Sequence, residues 1–148
     1  MQISAFLLLA LAGCSGLKTY PTAAGGNLAV RTDMDSNVRA VLHIHRVDAQ
    51  CRAVYRGTVQ LDRPAVALDL LPGQRVYLVV TFDTSSFFGG SRSTSVGTLL
   101  DPRPGSRYEL AARYHENIYD AALWESDSAT GQRRPLPRRD LQACRARS

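Results

Sequence analysis

His43-Ile44-His45 is the arrangement in this chain closest to a metal-binding motif. On a β-strand, residues i and i+2 point to the same face, so both imidazoles could ligate one ion, with His115 as a third donor. All three fall on the polar parity of their segments. The sequence fixes no Asp or Glu beside them to orient a ring, and the alternative is three solvated strand histidines. Nucleophilic chemistry has less to draw on. The chain has no Gly-x-Ser-x-Gly, no phosphate-binding loop and no His-Glu-x-x-His. Its three glutamates (Glu109, Glu116 and Glu125) form no carboxylate pair that context singles out. The expectation is therefore a protein that is not an enzyme and carries no cofactor, with a histidine-bearing metal or small-ligand carrier as the alternative.

Two further groups could bind a partner. Phe87-Phe88 lies inside Asp83–Gly97, the longest polar stretch of the central chain, between Ser and Gly residues. An aromatic pair at a loop tip can anchor a partner. It can equally tuck beneath the loop, or enter a strand beside a Gly89-Gly90 turn. The second group is basic. Residues 131–148 hold six arginines, Arg133, Arg134, Arg138, Arg139, Arg145 and Arg147, against the single Asp140. Residues 1–130 hold twelve basic and twelve acidic side chains, so the formal net charge of +5 belongs to the C-terminal end. Guanidinium pairs bidentately with phosphate, so this end suits anionic lipid head groups or an acidic partner. A solvated tail is the alternative.

The elements that must position these residues read as strands. Val38, Ala40, Leu42 and Ile44 alternate with Arg39, Val41, His43 and His45. Residues 53–61, 66–70, 76–82 and 107–115 repeat the period-two pattern of half-buried strands. Residues 118–125 are apolar on both parities, as in a strand covered on both sides. Turn signals at Asp33–Asn37, Asp62-Arg63-Pro64, Pro72-Gly73, Gly89-Gly90 and Asp101–Gly105 separate the runs. At 148 residues, with 21% charged and 45% hydrophobic residues, the chain suits one globular domain. The fold expected is all-β, an antiparallel sandwich of about seven to eight strands over 28–126, followed by a basic tail over 127–148. Residues 38–125 resemble small immunoglobulin-like or transthyretin-like domains of bacterial lipoproteins.

The N-terminal segment carries the most specific signal. Residues 3–13 are an uncharged, apolar run of 11 residues, too short for a membrane-spanning helix, which needs about 20, and suited to the apolar core of a secretory signal. It ends in Leu11-Ala12-Gly13-Cys14, which resembles the lipobox of bacterial lipoproteins at all four positions. An ordinary signal peptide cut elsewhere is the alternative. The resemblance implies a signal peptide over 1–13, cleavage before Cys14, and acylation of Cys14, which would attach the protein to a lipid bilayer. Ser15 then implies sorting to the outer membrane, facing the periplasm. Residues 14–27, with Pro21 and Gly25-Gly26, read as the lipidated cysteine and a flexible tether. Setting Cys14 aside leaves Cys51 and Cys144, an even pair in an oxidising compartment, where a bridge is expected; free thiols or an intermolecular pair are the alternatives. An exported protein meets no nucleic acid routinely. The partner expected is an envelope protein or an anionic envelope component, and the role a non-catalytic one, such as an accessory subunit of an envelope or secretion assembly.

Overall fold

The computed structural model describes residues 17–146. Nine strands form two sheets among them. They are β1 (Leu28–Met34), β2 (Val38–Val47), β3 (Ala53–Gln60), β4 (Ala65–Leu68), β5 (Val76–Ser86), β6 (Gly90–Leu100), β7 (Ser106–His115), β8 (Ile118–Asp127) and β9 (Arg133–Leu136), followed by the one-turn helix α1 (Gln142–Arg145). One sheet has the order β4-β1-β7-β8-β9 and the other β3-β2-β5-β6. All pairings between these strands are antiparallel except β1–β7, which is parallel. This is the all-β sandwich that the alternation implied. The ninth strand lies in the segment read as a tail: Arg133–Leu136 pairs with Leu123–Ser126.

The core lies between the sheets. Leu42, Ile44, Leu78, Val80 and Phe82 of one sheet meet Leu28, Val30, Leu68, Leu110 and Ala112 of the other, each at most 1% exposed. Phe82 stacks at a tilt on Tyr114, with ring centroids 5.6 Å apart. A fully buried aromatic of this kind costs about 3–5 kcal/mol to truncate.

Three features depart from the sequence reading, each for a physical reason. First, the polar stretch Asp83–Gly97 is a continuous hairpin rather than a loop, with Asp83–Ser93 projecting beyond the core and Val96 buried within it. β5 and β6 stay in register from Val76↔Leu100 out to Ser86↔Gly90. Beyond Phe82 the strands outrun the core, so both faces are wet and the alternation disappears. Second, β8 is not covered on both sides at its start. Ile118 is 76% exposed, and apolar burial begins only at Ala121. Third, the register of β2 against β3 shifts between Ile44 and His45. This bulge puts Tyr55 beside His45 on the outer face, although Tyr55 shares the sequence parity of inward-facing Val59.

The residues read as a flexible tether are also docked over their described part. Thr19 forms a parallel bridge with Thr58, flanked by Thr58 N–H to Lys18 O at 2.8 Å and Tyr20 N–H to Thr58 O at 2.8 Å. Tyr20 Oη donates to Asp69 O, and Asn27 exchanges two 2.7 Å side-chain bonds with the Leu70 backbone. Gly57 makes this approach possible. Its φ is +151°, and a Cβ there would stand 2.8 Å from Tyr20 N. The strap thus covers the outer edge of β3, which would otherwise present an open row of backbone groups.

Candidate interaction surface

The expected cysteine bridge is present, Cys51 to Cys144, with 5.8 Å between Cα atoms and 93 residues of separation. Cys51 sits at φ +60° in a turn that Asp48 organises, accepting from the backbone N–H of Gln50 and Arg52 at 2.9 Å each. Hydrogen bonding from Arg52 N–H, followed by the Arg52 guanidinium, holds the Asp48 carboxyl below its ordinary pKa. The bridge lays α1 across the outer face of the four-stranded sheet. There Val47, Cys51, Leu99 and Cys144 form a second small core with Tyr77, Leu141 and Ala143 around it. The C-terminal end is therefore pinned rather than free.

Three of its six arginines, Arg133, Arg134 and Arg139, are paired with carboxylates of the domain. Arg133 Nη2 reaches Glu109 at 2.9 Å, and its guanidinium carbon lies 4.4 Å from the centre of a Trp124 ring. Arg139 pairs with Asp101 at 2.9 Å, a carboxylate shared with Arg75. Arg134 pairs with Glu125, which is also held by Arg103. Arg138 makes no ion pair among the described residues.

Glu125 is the site the sequence reading missed. It is 4% exposed and follows Ala121 and Leu123 on the inward parity of β8. Arg103 donates to both of its oxygens and Arg134 donates to Oε2, while Tyr108 Oη donates to Oε1 at 3.2 Å. Burial raises its pKa, but the guanidiniums of Arg103 and Arg134 outweigh burial and bring it down to about 2. The one signal available in advance was a carboxylate on an apolar parity. An open cleft beside it is lined by Arg103, Ser106, Asp127 and Gln132. With the carboxylate already saturated by two cations, this is a structural clasp and offers no free acid or base.

The three histidines do not converge, which overturns the three-donor reading. His43 and His45 lie on β2, on the outer face of the four-stranded sheet, whereas His115 ends β7 in the other sheet. His45 lies between Tyr55 and Tyr77, with centroids at 5.6 and 6.4 Å. Burial, with a smaller contribution from the charge of His43, lowers its pKa. His115 is engaged at both ring nitrogens, Nδ1 with Asp35 and Nε2 with Asp33, each at 2.9 Å. Those bonds, Asp35 first, raise its pKa. Among the described residues, no group of three or more His, Cys, Asp or Glu side chains is arranged to hold a metal ion.

Phe87 and Phe88 are where a binding surface could exist. They cap the β5–β6 hairpin, 95% and 97% exposed, packed only edge-to-face on each other at 5.0 Å. Gly90 closes the turn at φ +71°, and Ser86 Oγ accepts the Gly89 N–H at 2.8 Å. Strand directions place the Asp33–His115–Asp35 clasp and the 76%-exposed Ile118 at the same pole. The opposite pole carries the N-terminal strap, the disulfide and α1. Cys14 lies outside the described residues. Among those residues, no helix is long and apolar enough to cross a membrane. No protein-family model matches the chain, and no curated protein matches it.

Proposed function

We propose that this chain is a lipid-anchored protein of the bacterial outer membrane, facing the periplasm, which binds an envelope protein through the Phe87–Phe88 hairpin tip as a non-catalytic subunit of an envelope or secretion assembly. The observation that carries the reading is the tip itself. Two aromatic side chains are held almost wholly in water on a well-formed hairpin that outruns the core. Leaving two Phe rings exposed forgoes roughly 1.5–3 kcal/mol of burial each, an arrangement that fits recovery of that burial against a partner. The Leu11–Cys14 motif supports the anchor. The Cys51–Cys144 bridge fits an oxidising compartment.

The test is photocrosslinking in cells, with a benzophenone side chain at Phe87 and, as control, at Gln60 on the strand β3. A discrete adduct from Phe87 alone is expected. Diffuse or absent adducts at Phe87 refute the binding role. Cys14→Ser is expected to move the protein from the membrane fraction to the soluble periplasm, and an unchanged membrane pool refutes the anchor.

A further inference from the structure

We infer that the N-terminal edge of the domain, formed by Leu17, Lys18 and the first half of β3, is a docking surface for an anionic lipid headgroup layer, holding the Phe87–Phe88 tip away from the bilayer. This rests on the anchored reading of Cys14 and goes further, because it assigns the face that meets the membrane.

The length of the leash argues for it. Lys18 is already hydrogen-bonded to Thr58, so only Ser15, Gly16 and Leu17 separate the acylation site from the folded domain. Cys14 lies five residues before Thr19, at most roughly 18 Å away at full extension. The direction is set by the parallel bridge Thr19↔Thr58. Moving back from Thr19 means moving back along β3, towards Tyr55 and Val54. The tip lies the other way. Thr58 is level with His43, and His43 with Val79. β5 runs parallel to β3 and ends at Ser86, seven residues beyond Val79 and roughly 23 Å further on at about 3.3 Å per residue, with Phe87 in the turn after it. A leash of that length cannot place its acyl chains at the tip, so the domain cannot stand on Phe87 and Phe88.

The chemistry of the edge matches the surface it would meet. Leu17, Val54 and Tyr55 are 69%, 40% and 39% exposed. Lys18 and Arg56 are exposed and make no ion pair among the described residues. Of the carboxylates nearby, Asp48 is taken by Arg52 at 2.7 Å, and Asp69 lines the groove beside Arg56 without an ion pair to it. Apolar and tyrosine side chains set among unpaired cations suit the headgroup region of a bilayer, where each Lys or Arg near an anionic surface shifts binding by about fivefold.

The full lipidated chain, reconstituted on phosphatidylethanolamine vesicles with and without phosphatidylglycerol, tests this. A fluorophore is placed through a noncanonical residue at Val54 or at Phe88, which leaves the three cysteines alone, and is read with headgroup-region brominated lipid. Quenching at 54 and none at 88 is expected. It should strengthen with phosphatidylglycerol, weaken at high salt, and fall by about fivefold in the docked-to-free ratio for each of Lys18→Gln and Arg56→Gln. Quenching at 88, equal quenching at both sites, or no quenching at 54 in protein that floats with the vesicles overturns the orientation and leaves the anchor standing. Wild-type protein that fails to float overturns the anchor, and the orientation with it. Unchanged quenching at 54 in both charge variants overturns the headgroup contact.

Discussion

Replacing Glu125 with Gln should cost this domain stability at neutral pH and remove part of its acid sensitivity. The carboxyl drops from an ordinary 4.5 to about 2 in the folded protein. At 1.36 kcal/mol per unit, that shift corresponds to about 3 kcal/mol of preference for the ionised form. Glu125 itself is 5% exposed at the side chain, while Arg103 and Arg134 are 57% and 58% exposed. The two guanidiniums can therefore rehydrate when the charge is removed, and about 2 kcal/mol is expected at pH 7. The sign follows from the direction of the shift. A carboxyl depressed by folding contributes fully above its unfolded value near 4.5 and loses that contribution as pH falls towards about 2. Urea unfolding of wild type and Glu125→Gln at a series of pH values would show midpoints well separated at pH 7, converging between pH 4.5 and 2. A constant gap across that window, or no gap at pH 7, would refute the assignment of the stabilisation to the Arg103–Glu125–Arg134 clasp.

The double variant Cys51→Ala/Cys144→Ala removes a bridge spanning 93 residues. The chain-entropy argument puts the loss near 4–5 kcal/mol as an upper figure, readable as a lowered urea midpoint. Amide exchange should accelerate first in α1 and at Leu99, whose N–H bonds to Arg139 O. Phe87→Ala/Phe88→Ala should leave the melting temperature nearly unchanged, because the pair packs only on itself; a drop of several degrees would mean that the tip is buried in solution. NMR titration should place the His115 imidazole above 6.5 and that of His45 below it. Asp35→Asn should bring His115 back down and leave His45 where it is.

How far the sequence reached is clearest in β5. Its first seven residues alternate over a core and were legible as a strand. Its last four lie beyond that core and carry no alternation, although the same ladder continues through them. Alternation records one-sided burial, and where burial ends the signal ends with it. β9 escaped for a related reason: four residues with exposed arginines and Pro135 at a sheet edge leave no apolar parity to read. The odd cysteine count led to the right pair because only one intramolecular connectivity remained.

By itself, then, the sequence determined the class of fold and the concentration of positive charge at one end, and made a Cys51–Cys144 bridge the expectation once Cys14 is set aside, which the structure then settled. These depend on composition and on periodicities carried by neighbouring residues. Only the tertiary structure decided what the charges and rings face. Arg133, Arg134 and Arg139 are matched to Glu109, Glu125 and Asp101. The histidines are parted between two sheets, and Lys18–Tyr20 is laid on β3 rather than left as a spacer. These contacts join residues from 9 to 40 positions apart, on different segments of the chain, beyond the reach of local pattern. A bulge of one residue, such as that at Ile44/His45, is enough to reverse which face a side chain occupies. Local pattern therefore marks the strand segments that bury one face, and strand register and sheet pairing decide where the ladders extend beyond them and which side chains meet.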